Sequence, residues 1–173
     1  TFARDPETLA RTQAIPGQIG LQHRIGGLEK DTKGAISYDS DNHGEMTRLR
    51  AAKVEAIAKS MPPLRITGER TGKLLVLGWG GTHGAITTAV ENLRTEGYDV
   101  SSTNLRYLNP LPPDLGDLIK GFDKVMIPEL NCGQLSVIVR AKYLVDAISY
   151  NKVKGKPFKV NELSERILQI LNA

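Results

Sequence analysis

The sequence predicts an α/β protein: a doubly wound, mainly parallel sheet with helices on both faces, preceded by an irregular N-terminal extension. Three observations carry this. Lys73–Gly78 is a short, unbroken apolar run, the pattern of a strand buried on both faces. Strand-like and helix-like segments then alternate to the C-terminus with short connections, which places the strands parallel. The first 45 residues hold only thirteen apolar residues, irregularly spaced, too few to bury a core of their own.

Taken in order, residues 1–40 show no sustained period and are punctuated by Pro16-Gly17, Gly20, Gly26-Gly27 and Gly34, so loops are expected there. Asn42 followed by Glu45 resembles a capping box. Leu49, Ala52, Ala56 and Ile57 then share a helical face that ends by Pro62-Pro63. Residues 64–72 are polar and glycine-bearing and read as a linker. After the Lys73–Gly78 strand, Ile86, Ala89, Val90 and Leu93 fall at i, i+3, i+4 and i+7, a helix ended by Gly97. Asp99–Leu105 reads as a second strand, unusually polar. Pro112-Pro113 opens a helix carrying Leu115, Leu118 and Ile119 and closed by Gly121. Lys124–Pro128 is a third strand. Leu135, Ile138, Ala141, Val145 and Ile148 predict a long helix over 133–149. Lys152–Lys156 reads as a lysine-guarded edge strand, and Leu163, Ile167 and Ile170 mark a final helix. The division that follows is 1–65, loops plus one helix, and 66–173, the α/β domain.

Composition excludes several functions. Twenty-three Lys and Arg against nineteen Asp and Glu give +4, and both parts of the chain share this small excess. No basic face is implied, and nine aromatics are too few for stacking platforms, so neither nucleic acid nor a membrane surface is an expected partner. No run approaches the length of a membrane-spanning helix. Cys132 is the only cysteine, so there is no intrachain disulfide, and with three scattered histidines it builds no metal site. A reducing, cytoplasmic location fits. A first residue of Thr1 rather than Met is expected of a processed or excised chain.

In such a sheet, chemistry belongs to the loops where strands run into helices: 78–84, 108–113 and 128–133. Gly78-Trp79-Gly80-Gly81-Thr82-His83-Gly84 brings glycines to a helix N-terminus, where a backbone suits an anion. His83 stands where the dinucleotide fingerprint needs glycine, and no acid ends the second strand, so a tight turn is the better reading. Glu129 and Asn131 face this loop across a switch point. A lone carboxylate has no partner to tune it, so Glu129 reads as an interface or helix-capping acid. Cys132 reads as a small, nearly buried structural residue. His23, Arg24 and Glu29 sit in a glycine-rich loop that cannot fold alone, and either touch a ligand or fix the loop to a partner.

Three groups of segments together resemble a known family. The first is His23-Arg24-Ile25-Gly26-Gly27-Leu28-Glu29-Lys30-Asp31, with Gly34–Asp39, Asn42-His43 and Leu49–Val54. The second is the 78–84 loop with Arg106–Pro112. The third is Pro128-Glu129-Leu130-Asn131-Cys132-Gly133-Gln134-Leu135, with Arg140–Asp146 and Lys152–Phe158. Over nearly its whole length the chain resembles the C-terminal part of the alpha subunit of 2-oxoacid:ferredoxin oxidoreductases, the 2-oxoglutarate type above all.

The resemblance implies a transketolase-C-terminal-like domain at 66–173, preceded at 1–65 by the tail of a pyrimidine-binding-type domain. It implies oxidative decarboxylation of 2-oxoglutarate to succinyl-CoA and CO2, with reduction of ferredoxin. Thiamine diphosphate, magnesium and an iron–sulfur cluster belong to the assembled enzyme and are not bound by this chain alone. A beta subunit is the direct partner, ferredoxin and CoA serve the whole complex, and the complete enzyme is expected to be a dimer of heterodimers. No catalytic residue and no metal ligand is carried over. The substrate- or cofactor-proximal, or interface, candidates are His23, Arg24, Glu29, Asp31, Gly80, Gly81, Thr82, Glu129 and Asn131. The chain then acts as scaffold and subunit interface, inactive by itself; the alternative is a stand-alone small-molecule or nucleotide-binding module without catalysis.

Overall fold

The structure, a computed structural model, describes residues 2–173 and divides into two compact units, 1–61 and 62–173.

In the first unit no residue between Phe2 and Glu45 is buried; Met46 is the first that is. Local polar turns shape the chain instead. Asp5 Oδ1 accepts from the backbone N–H groups of Glu7 and Thr8 and from the Thr8 hydroxyl. Asp31 Oδ1 accepts from the N–H groups of Lys33 and Ala35, closing a turn that an isolated bridge between Lys30 and Ile36 extends. Ile19, Ile25 and Tyr38 are nearly fully exposed. Helix α1 spans Ser40–Ala56 and runs into a 3-10 turn over Ile57–Ser60. Its cap differs from the expected box. Asp39 is the N-cap and its carboxylate accepts from Asn42 N–H at 2.7 Å, while Glu45 pairs with Arg48. Asp39 lies one turn earlier and meets the free N–H groups first.

The second unit is a five-stranded sheet between two helical layers, in the order β1-β3-β2-β4-β5. Strands β2 (Gly72–Trp79), β3 (Val100–Leu105), β4 (Phe122–Glu129) and β5 (Ile148–Asn151) are parallel; the two-residue β1 (Ile66–Thr67) adds antiparallel to β3. The continuous apolar run of β2 is explained by its two buried faces. Leu75 and Leu77 pack with α3 (Leu115–Lys120) and α4 (Gln134–Tyr143); Leu74 and Val76 pack with α2 (His83–Thr95) and α5 (Val160–Leu171). Ile86, Ala89, Val90 and Leu93 of α2 are buried as the spacing requires, and so are Leu163, Ile167 and Ile170 of α5.

Tertiary structure overrides the expected reading in three places. The expected linker contains β1, because the polar residues of β3 hold it: Thr103 Oγ1 donates to Arg65 O at 2.8 Å, and Ser101 Oγ accepts from Glu69 N–H at 3.0 Å. That is why Ser101 and Thr103 are buried in a strand. The long helix expected over 133–149 stops at Tyr143. Leu144 adopts a left-handed conformation, φ +52°, and the chain re-enters the sheet as β5. Leu135, Ser136 and Val139 face inward, and Ile138 lies exposed. Two short apolar patterns in succession imitate one long helical stripe. Residues 152–156 are accordingly not a strand. Lys152 Nζ instead binds both carboxylate oxygens of Glu162 and the carbonyl of Pro157, tying the loop to the start of α5.

Glycine is required at Gly121 by space rather than by φ. A Cβ there would lie 2.6 Å from the backbone oxygen of Arg70, and Gly121 O accepts from Gly72 N–H at 3.0 Å. Neither backbone can give way without loosening the other. Gly121→Ala is expected to destabilise by about 1–3 kcal/mol. Gly81→Ala, with nothing within 4 Å of the new methyl, should leave the thermal midpoint within about one degree.

Candidate functional site

Strand order places the topological switch point between β2 and β4, and the loops that follow these two strands contain Gly80–Thr82 and Leu130–Gly133. In an open α/β sheet a ligand is expected in the crevice there. Here the polar side chains of the second loop are committed to the protein's own hydrogen bonds. Glu129 ends β4 fully buried and accepts five hydrogen bonds: from Trp79 Nε1 at 3.2 Å, Asn131 Nδ2 at 3.2 Å, Leu135 N–H at 2.8 Å, and Ser136 N–H and Oγ, both at 3.0 Å. Burial pushes the Glu129 carboxyl up, but hydrogen bonds from the Leu135 and Ser136 backbone, the Ser136 hydroxyl and Asn131 outweigh it. The group rests below its ordinary value.

Asn131 completes the arrangement. Its Oδ1 accepts from Gly133 N–H at 2.7 Å and Gln134 N–H at 2.9 Å. Gly133, at φ +93°, turns the chain so that these amides converge; a Cβ there would meet Ser149 Oγ at 3.0 Å. Every free N–H group at the start of α4 is thus paired to Asn131 or Glu129, and the helix end offers nothing to an external anion. Glu129 is the capping acid expected from the sequence. Trp79, which that reading passed over, joins the two loops; its position directly after the buried run of β2 is the signal. Cys132, expected to be nearly buried, is exposed, because the Asn131–Gly133 turn directs it outward.

The remaining candidates of this unit are contrasting. Thr82 is buried, with Oγ1 donating to Trp79 O at 2.9 Å and accepting from Trp79 N–H at 3.3 Å. Gly80 (φ +57°) and Gly81 are exposed. In the first unit, Glu29 is the anchor of its loop: it binds Arg50 Nη1 at 3.0 Å and His43 Nδ1 at 3.2 Å, joining that loop to α1. Burial pushes its carboxyl up, and the bonds from Arg50 and His43 pull it below its ordinary value. Asp31 is spent on its turn. His23 packs edge-on against Phe2, its Nδ1 2.8 Å from Leu21 O, and Arg24 is exposed.

Sequence reasoning missed a cleft of about 590 Å³ on the other side of α2, where the first turns of that helix face the end of β3 and residues 62–67. Asn104 lines it, with Oδ1 buried and without a partner. Among the described residues no three His, Cys, Asp or Glu converge as metal ligands, and both oxygens of Glu129 are committed. These residues do not fit a magnesium–diphosphate site. No helix is long and apolar enough to cross a membrane.

No protein-family model matches the chain. It is 48% identical over 170 residues to a Mycobacterium tuberculosis protein named 2-oxoglutarate oxidoreductase subunit KorA, covering 96% of this chain and 25% of that one. It is 30% identical over 159 residues to the alpha subunit of 2-oxoacid:ferredoxin oxidoreductase 1 of Aeropyrum pernix, covering 84% and 24%. Among solved structures, the 2-oxoglutarate:ferredoxin oxidoreductase from Magnetococcus marinus, with 2-oxoglutarate, coenzyme A and succinyl-CoA bound, superposes with a TM-score of 0.91 at 28% identity. That match covers 98% of this chain and 30% of the other. The chain thus spans about a quarter of the length of the curated relatives it matches.

Proposed function

The chain is a homologue of the alpha subunits of 2-oxoacid:ferredoxin oxidoreductases over about a quarter of their length, and on that premise we propose that it is the corresponding part of such a subunit, of the 2-oxoglutarate type. The observation that carries this is agreement of sequence and backbone over nearly the whole chain: 48% identity to the mycobacterial subunit and a TM-score of 0.91 to the Magnetococcus enzyme. The reaction of the whole protein is oxidative decarboxylation of 2-oxoglutarate with CoA, giving succinyl-CoA, CO2 and reduced ferredoxin. Thiamine diphosphate, magnesium and the iron–sulfur cluster are held by other parts of that assembly, which works in the cytoplasm.

Within it this chain is scaffold and interface. Residues 66–173 serve as the transketolase-C-terminal-like domain, and 1–65 as the tail of the pyrimidine-binding-type domain. The surface of the first unit supports an interface role. Ile19, Ile25 and Tyr38 are exposed, although burying such a side chain is favourable by roughly 1.5–3 kcal/mol. Residues this apolar on an irregular loop suit contact with the remainder of the subunit and with the beta subunit, in a dimer of heterodimers. Glu29, held by His43 and Arg50, presents the His23–Asp31 loop to that contact.

A chimera tests the reading. The C-terminal quarter of the mycobacterial subunit is replaced by this chain and co-expressed with its beta subunit. The expected result is 2-oxoglutarate- and CoA-dependent reduction of a viologen dye by the chimera, and none by the 173-residue chain alone. Turnover by the isolated chain, or a folded, assembled chimera without turnover, would overturn it.

A further inference from the structure

The cleft beside α2 has the makings of a ligand site, and it stands independently of the oxidoreductase reading. Its volume of about 590 Å³ falls within the range of small-molecule sites, roughly 300–1,000 Å³. Its charge is one-sided. Arg65, His83 and Arg106 line it, and no Asp or Glu does. Among the described residues neither arginine has a carboxylate partner, as is also true of Arg4, Arg11, Arg24 and Arg166.

The two long helices that follow the switch-point strands also differ. The N-terminal amides of α4 are all taken by Glu129 and Asn131. Helix α2, whose first turns border the cleft through His83 and Thr87, continues from a 3-10 turn over Gly80–Thr82, with His83 N–H donating to Gly80 O, and has no acid in its first turn. Two guanidinium groups without carboxylate partners, on a lining that holds no acid, favour a multiply charged anion. The lining also carries the rings of Pro62 and Pro63, the exposed ring of Tyr107 and Ile86, beside the hydroxyl residues Thr67, Thr87, Ser102 and Thr103. Flat faces suit a ring system stacked against them. Asn104 lines the same wall, with its Oδ1 turned inward and buried.

We propose that this cleft binds a phosphate monoester carried on a flat ring system, the chemistry of a mononucleotide. The phosphate lies between Arg65 and Arg106, and the ring lies against Tyr107 and the prolines.

Calorimetry and amide chemical-shift mapping on the 173-residue chain test this, with AMP as probe and adenosine and inorganic phosphate as its two halves. AMP is expected to bind one to one with shifts confined to the lining residues, and each half at least about tenfold more weakly. The pair Arg65→Gln and Arg106→Gln should weaken AMP by about tenfold or more, and the pair Lys154→Gln and Lys156→Gln, which removes the same charge from an exposed loop, should not. All four residues are exposed, and matching melting temperatures show that the variants are folded. Three results would each overturn the proposal: no heat and no shifts with AMP, adenosine binding as tightly as AMP, or equal losses in the two variant pairs.

Discussion

Replacing Glu129 by Gln lowers the stability of the second unit by about 3 kcal/mol, although the two side chains have nearly the same shape. The carboxylate accepts from two backbone amides, a hydroxyl, an amide side chain and an indole. A glutamine can offer only one oxygen, so its NH2 group must face another donor, with the site buried and water excluded. Over a unit of this size the loss corresponds to a fall in melting temperature of roughly 10 °C. Trp79 is the only tryptophan and a direct partner of Glu129, so its fluorescence reports the change at its source.

The pH dependence has a definite sign. The folded carboxyl lies below its ordinary value, so its contribution is present above the unfolded pKa and is lost as pH falls through the folded one. The native unit should therefore weaken on acidification below about pH 4, and Glu129→Gln should lack that part of the acid response. A variant as stable as the native chain at neutral pH would mean that the five bonds do not act together.

Ile167→Ala is expected to cost about 2–5 kcal/mol, measured by denaturant unfolding. Ile167 lies on α5, fully buried in the cluster that joins Leu74 and Val76 of β2 to Ala89, Val90 and Leu93 of α2. Truncation there opens a cavity among residues already fixed by the sheet, which cannot collapse to fill it. Val153→Ala, largely exposed, serves as the control and should change little. Near-equal midpoints for the two variants would show that the C-terminal helix does not close the second layer of the core.

Much of the second unit could be read locally. Leu74–Leu77 declare a strand with two buried faces. Ile86–Leu93 and Leu163–Ile170 declare helices, because one apolar face leaves a regular mark in the chain. The errors share a cause. β1 consists of two residues and exists because Thr103 and Ser101 hold the backbone around it, a contact made across more than thirty positions. β5 was hidden because Val145 and Ile148 continue, by coincidence of spacing, the stripe begun by Leu135. Nothing local distinguishes a helix that continues from one that stops at a left-handed Leu144.

The candidate site divides the same way. Glu129 and Asn131 stand just ahead of a helix, where an acid and an amide cap, and their roles could be anticipated. The use of Trp79 Nε1 as a fifth donor could not, since it depends on β2 and β4 lying side by side. The cleft beside α2 is assembled from 62–67, 83–87 and 102–112, segments that are polar or proline-rich and carry no common motif.

By itself the sequence determined the fold class, the poorly apolar first unit, and the resemblance that the mycobacterial and Magnetococcus proteins bear out. These depend on composition, period and residue identity, which are properties of the chain alone. Only the tertiary structure decided which loop is closed and which is open. Glu129 and Asn131 saturate the start of α4, while the side of α2 borders a cleft lined by two arginines without carboxylate partners, because hydrogen bonding and charge balance are settled between segments distant in sequence.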